Sequence, residues 1–146
     1  MWDLIVVGGG TSGVSAAVSA SRRGCKTLLI EKMGFLGGTS TASLVTPMMK
    51  NMIDAKNNLS QGLYKEILSI LASTGDSATH ENGNPGWFNP EMMKCVLDDI
   101  CVENGVEILF DTVVTGVKLE DDCIKSIKCF NKSGFCDLMA NYFVDA

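Results

Sequence analysis

The chain has 146 residues, 46% of them hydrophobic, enough for one domain with its own core. A formal net charge of -5 argues against nucleic acid as a partner, and no apolar run approaches the length of a membrane span. Six irregularly spaced cysteines with no C-x-x-C pair read as reduced thiols rather than a disulfide framework or a metal site.

The first segment that organises the chain is Met1 to Lys32. Asp3-Leu4-Ile5-Val6-Val7 is a short apolar strand, followed at once by Gly8-Gly9-Gly10-Thr11-Ser12-Gly13. Gly8, Gly10 and Gly13 fit the G-x-G-x-x-G spacing. Gly8 permits a tight exit from the strand, Gly10 leaves room for a pyrophosphate, and Gly13 lets the following helix pack close to the sheet. A helix is predicted over Thr11 to Arg23, small on the side of Ala16, Ala17 and Ala20, with Gly24 as its left-handed C-terminal cap. Its amino end faces the phosphates. A second strand, Thr27 to Ile30, delivers Glu31 eighteen residues after Gly13, where a carboxylate accepts hydrogen bonds from ribose hydroxyls and repels a 2′-phosphate. A P-loop would need Lys at Val14 and a nucleophile elbow Gly at Val14, so both are excluded. With this motif so near the start and no charged leader before it, no signal peptide is expected, and the expected compartment is the cytoplasm.

Gly37-Gly38-Thr39-Ser40-Thr41 then forms a second glycine pair followed by hydroxyls, a loop suited to close approach to a cofactor. The combination of Val6-Val7-Gly8-Gly9-Gly10-Thr11-Ser12-Gly13, the alanine-rich helix, Glu31-Lys32 and Gly37-Gly38-Thr39 resembles the N-terminal part of FAD-dependent oxidoreductases of the glutathione-reductase-like superfamily. Pro85-Gly86-Trp87-Phe88-Asn89-Pro90-Glu91 resembles a Pro-Gly-Trp-Phe-Asp-Pro-Glu segment of one broad group within it, with Asn in place of Asp.

Further along, Ser60 to Ser73 carries Leu63, Ile67, Leu68, Ile70 and Leu71 at helical spacing. Met48, Met49 and Met52 read as core residues more readily than as pocket lining. Thr74 to Gly86 is a polar loop holding His80, the single histidine, whose neighbours Thr79, Glu81, Asn82 and Gly83 place it in solvent rather than in chemistry. Trp87 and Phe88 read as a hydrophobic plug. Asn89-Pro90-Glu91 starts a helix by capping, by proline at the first position and by charge, and that helix ends at Asn104-Gly105. Asp98, Asp99 and Glu103 are expected on its solvated face. Gly105 to Phe110 is the next parallel strand.

Three short runs follow, Val113 to Leu119, Ile124 to Phe130 and Phe135 to Ala140, and they predict an antiparallel meander crossing the main sheet. A four-residue turn at Asn131 to Gly134 would set Cys129 opposite Cys136 without a bond. Tyr142 to Ala146 reads as a further parallel strand.

The expected fold is therefore an α/β Rossmann-like FAD-binding domain over residues 1–146, with an insertion at about 41–88 and a meander at about 112–140. The resemblance implies FAD as cofactor, Gly8, Gly10, Thr11, Ser12 and Gly13 at the pyrophosphate, Glu31 at the ribose, Lys32 also among the cofactor-binding residues, Gly38, Thr39 and Ser40 at a second approach, and a backbone contact from Val114 to the adenine. It implies hydride or electron transfer through the flavin between an unidentified substrate and partner, with no catalytic residue legible because the cofactor carries the chemistry. The resemblance covers only the N-terminal part of a typical member, so this length alone is not expected to turn over, and sheet surfaces left uncovered are expected to promote self-association. An NAD-linked dehydrogenase domain and a non-catalytic nucleotide-binding fragment share the fingerprint; Gly37-Gly38-Thr39 and the meander speak against the first.

Overall fold

The computed structural model describes residues 1–48, 60–77 and 86–146. The chain divides into two compact units, Met1–Leu36 with Asp98–Ala146, and Gly37–Leu97.

The first unit is built on a six-stranded sheet of order β3-β2-β1-β6-β5-β4. Strands β1 (Trp2–Val7), β2 (Thr27–Ile30) and β3 (Glu107–Leu109) pair in parallel, with Ile5 opposite Leu28 and Leu29 opposite Ile108. All four residues of β2 are buried, as expected of a strand covered on both faces. Helix α1 (Thr11–Ser21) packs on β1 and β2 with Val14, Ala17 and Val18 buried. It ends two residues before the expected Arg23, in a Schellman arrangement: the Cys25 N–H reaches the Ala20 carbonyl (3.2 Å), the Gly24 N–H the Ser21 carbonyl (2.8 Å), and Gly24 takes φ +86°.

Strands β4 (Val113–Glu120), β5 (Cys123–Asn131) and β6 (Gly134–Asp145) form the meander. Here the structure departs from the sequence reading. The runs Phe135–Ala140 and Tyr142–Ala146 are not two strands but one: β6 pairs antiparallel with β5 through Met139 and parallel with β1 from Ala140 onward. Only Asn141 separates the runs, and a single polar residue on a pleated ribbon does not turn the chain. The meander's inner side and one face of the parallel strands share a core: Ile5, Leu28 and Ile30 cluster with Ile127, Cys129 and Ala140, joined by Val114, Cys136, Leu138 and Phe143.

The β4–β5 turn is Asp121-Asp122, both at positive φ (50° and 58°), the conformation of a type I′ hairpin, which favours Asn-Gly. Replacing the pair with Asn-Gly should raise stability by roughly 1 kcal/mol, since aspartates in left-handed geometry are strained. A thermal melt should show a gain of roughly 3 °C for a chain of this size; a loss would mean that the two carboxylates hold the turn in some other way.

Helix α3 (Pro90–Glu103) begins as expected. The Asn89 Oδ1 accepts the Glu91 N–H (3.0 Å), and Pro90 occupies the first turn. At its far end the Val106 N–H bonds the Cys101 carbonyl (2.9 Å), with Gly105 at φ +73°. Asp99 and Glu103 are exposed, but Asp98 is not on the solvated face: it is half-buried, and its Oδ1 is out of solvent with no hydrogen-bond partner. Three residues on from it, Cys101 is fully buried, so Asp98 borders the apolar stripe. Burial first, and then the like charge of Asp99, raise the Asp98 carboxyl above its ordinary 3.8. A carboxyl raised by folding contributes stability below its unfolded pKa and loses it as pH rises through the folded value. Asp98→Asn should therefore melt a few degrees higher than the wild type at neutral pH, and the gap should close below pH 3.8; a constant gap would assign the gain to something other than the charge.

In the second unit, α2 (Leu63–Ser73) buries Ile67 and Leu71. It starts at Leu63 without the polar cap expected at Ser60 or an adjacent residue, because Gly62 at φ +64° precedes it with no side-chain cap. Phe88 is buried while Trp87 is half exposed, so only one of the expected plug residues plugs; successive side chains of an extended segment point to opposite sides. Met48 is half-buried. His80, Met49 and Met52 lie outside the described residues. Among the described residues no helix is long and apolar enough to cross a membrane.

Candidate functional site

The first unit brings the glycine turn and Glu31 together. The Gly8 N–H donates to the Ile30 carbonyl (2.8 Å), tying the end of β1 to the end of β2, and Gly8 sits at φ +103°. A Cβ at Gly8 would strike the carbonyl oxygen of Ala146, and one at Gly13 the carbonyl oxygen of Gly8. These two glycines serve close packing, one of strand against strand and one of helix against turn.

Gly10 differs from both. It is the N-cap of α1 with φ −67°, and a Cβ there would meet nothing within 4 Å. No side chain caps the helix and its first turn has no acidic residue, so the amides of Thr11, Ser12 and Gly13 lack intrahelical acceptors and face the open space beside Gly10. Thr11 and Ser12 are exposed at that end. Amide hydrogens and helix dipole together make this an anion-binding end.

Glu31 is buried, at 7% exposure, and its carboxylate is held from two sides. Oε2 accepts the Gly9 N–H (2.6 Å) and Oε1 the Met33 N–H (2.8 Å). A carboxylate has about four acceptor positions, so two remain for other donors. Its backbone is fixed as firmly, through N–H to the Leu109 carbonyl (3.0 Å) and carbonyl to the Thr112 N–H (3.1 Å). Thr112 is itself buried and accepts from Asn131 Nδ2 (3.3 Å), so the β5–β6 turn supports the position of Glu31 through one intermediary. Lys132 on the same turn pairs with Asp111 (3.0 Å), beside the Met33 carbonyl that Asp111 contacts with its own N–H (3.3 Å).

Gly9 is the residue the spacing argument passed over. A Cβ there would lie 2.5 Å from Leu36 Cδ2 and 2.9 Å from Glu31 Oε2, so only glycine lets the turn lie against the carboxylate. The available signal was the middle one of three consecutive glycines, at a position the G-x-G-x-x-G fingerprint leaves free. Thr112 was missed too, since nothing local marks a threonine that bonds a residue 81 positions away.

Lys32 is exposed next to Glu31. Val114 is half-buried on β4 opposite Cys129, just before an irregularity in register. Gly38, Thr39 and Ser40 belong to the second unit, where they form one 3-10 turn; Gly37 precedes it at φ +109°, with no room for a Cβ beside the Thr41 side chain.

The sequence is 29% identical to the thiamine thiazole synthase of Methanococcus vannielii over 128 residues, covering 86% of this chain and 44% of that one. It is 31% identical to a probable glycerol-3-phosphate dehydrogenase of Encephalitozoon cuniculi over 147 aligned positions, covering 99% of this chain and 21% of that one. The fold is similar to the crystal structure of L-proline dehydrogenase from P. horikoshii, with a TM-score of 0.65 at 18% identity, covering 99% of this chain and 52% of that one. The chain thus spans less than half the length of these two sequence relatives. The FAD dependent oxidoreductase family matches residues 3–146, and the chain belongs to that family.

Proposed function

We propose that residues 1–146 form the N-terminal FAD-binding part of an oxidoreductase, with the adenosine diphosphate half of the cofactor held by the glycine turn and Glu31. The observation that carries this reading is the pairing of an uncapped helix end, open at Gly10, with a buried, backbone-anchored carboxylate that keeps free acceptor positions. The amides of Thr11, Ser12 and Gly13 neutralise the pyrophosphate, Gly10 lets it approach, and Gly8 keeps the turn tight beneath it. Glu31 accepts from the ribose hydroxyls, with Lys32 beside it and the Val114 backbone toward the adenine. Gly38, Thr39 and Ser40 make the second approach to the cofactor. The bound flavin would supply hydride or electron transfer; this chain's residues bind and orient it.

In this reading about 41–88 is an insertion and about 112–140 the meander, and the compactness of Gly37–Leu97 supports that division. Six free thiols favour a reducing compartment, the cytoplasm. Exposed Val117 and Leu119 on the edge strand β4, with Phe130, Phe135 and Met139, favour self-association of this length of chain, and its net charge of -5 disfavours nucleic acid.

The test is a fluorescence titration of the purified chain with FAD, with NAD as competitor. Saturable binding that NAD does not displace supports the reading. Binding of NAD in preference to FAD would replace it with a dinucleotide domain of the dehydrogenase type.

A further inference from the structure

We propose that Cys129 and Cys136 are a modification site, at which a hydroperoxide converts two facing thiols into a cross-strand disulfide. The two residues are direct partners across β5 and β6. Directly opposed residues of an antiparallel pair have Cα atoms roughly 4.5–5.5 Å apart, inside the range a disulfide spans. The register is firmly set. The Asn131 Oδ1 accepts the Ser133 N–H (2.9 Å), Gly134 takes φ +102°, and the neighbouring pair Phe130 and Phe135 pack with their rings tilted by 49° and centroids 4.9 Å apart.

The two thiols differ in access, and this assigns their roles. Cys129 is wholly buried in the core beside Ile5 and Ile30, whereas Cys136 is half-buried. Burial first, then the charges of Cys136 and Asp137, push the Cys129 thiol up to about 11, so it stays protonated at neutral pH and does not initiate. The Cys136 sulfur attacks one oxygen of hydrogen peroxide; the O–O bond breaks, and the departing hydroxide takes the thiol proton as water, leaving a sulfenic acid. The Cys129 sulfur then attacks the Cys136 sulfur, the S–O bond breaks, and hydroxide leaves with the Cys129 proton as a second water. Two thiols lose two electrons and the peroxide becomes two waters. Cys123 has no comparable partner, since it stands opposite Glu120.

Lys128 and Lys132 make the test direct: trypsin releases Cys129–Lys132 apart from the peptide that begins at Ser133 and holds Cys136, unless a disulfide joins them. The native chain is treated with hydrogen peroxide, its remaining thiols are alkylated, and the digest is analysed by mass spectrometry. A variant carrying Cys25→Ser, Cys95→Ser and Cys123→Ser removes competing accessible thiols. The joined pair should appear in both proteins and vanish on reduction with dithiothreitol, and the melting temperature of the oxidised protein should rise, because a covalent tie across the hairpin restrains the unfolded chain. In Cys129→Ser, Cys136 should instead be trapped as a dimedone adduct. The proposal is overturned if Cys136 is over-oxidised or left reduced with no joined pair, or if the pair joins only after denaturation.

Discussion

Glu31→Ala is expected to lower stability by about 3 kcal/mol and the melting temperature by roughly 10 °C. The carboxylate accepts two backbone amides in a site at 7% exposure, from Gly9 at 2.6 Å and Met33 at 2.8 Å. Truncation leaves both donors without an acceptor, and an unsatisfied buried donor costs about 1–3 kcal/mol. FAD affinity, measured well below the melting temperature so that folded protein is compared with folded protein, should fall by a further 1–3 kcal/mol, roughly the scale of a lost charge-assisted hydrogen bond. The two readouts are separable. An unchanged melting temperature would show that solvent replaces the carboxylate at both amides, and an unchanged affinity would remove the ribose role while leaving the structural one. Glu31→Gln refines the comparison: its amide nitrogen cannot accept, so one of the two backbone donors is still lost.

Gly13→Ala carries the second large effect, and its sign is the sharp point. Inside a helix, exchanging glycine for alanine ordinarily stabilises by about 1 kcal/mol. Here the added methyl would run into the Gly8 carbonyl oxygen, and neither side yields readily. Gly13 lies in the first turn of α1, and Gly8 is pinned through its N–H to Ile30. The substitution should cost at least about 3 kcal/mol, at the upper end of what overpacking produces. Gly10→Ala is the matching control. With φ −67° and nothing within 4 Å of the added methyl, it should fold with a stability change of no more than about 1 kcal/mol while losing most FAD affinity, since the methyl occupies the open space proposed for the pyrophosphate. If both variants melted like the wild type and bound FAD equally well, the division between a packing glycine and a clearance glycine would be wrong.

Much of this site is legible in sequence because its grammar is local. Strand, turn, helix and acid succeed one another within Met1 to Lys32, and each leaves its own mark: an apolar run, spaced glycines, an alanine-rich face, Gly24 at the cap. The start of α3 is legible for the same reason, with Asn89, Pro90 and Glu91 each acting within one turn. What escaped reading depends on residues far apart in the chain. The tightness of Gly8 comes from Ala146, the anchoring of Glu31 from Thr112 and Asn131, and the exclusive need for glycine at position 9 from Glu31 and Leu36. Asp98 was misplaced because periodicity identifies a helix's apolar stripe but not how far its neighbours reach over the border. The continuity of β6 was hidden by Asn141, where propensity suggests a break and pairing on both sides overrides it.

The dependence of Gly8 on Ala146 also bears on the order in which the molecule is made. The floor beneath the glycine turn is β6, whose Tyr142 to Asp145 stand beside Leu4 to Val7, and the Ala146 N–H closes on the Val7 carbonyl at 2.9 Å. During synthesis β1, α1 and β2 leave the ribosome early and are able to associate, since their contacts are close in sequence and loop closure costs little. The turn, however, is left without its neighbour until nearly the whole length described here has emerged. The glycine turn therefore forms before the strand that closes against it, and a nascent chain arrested short of residue 140 should hold an associated β1-α1-β2 unit whose turn still lacks that neighbour.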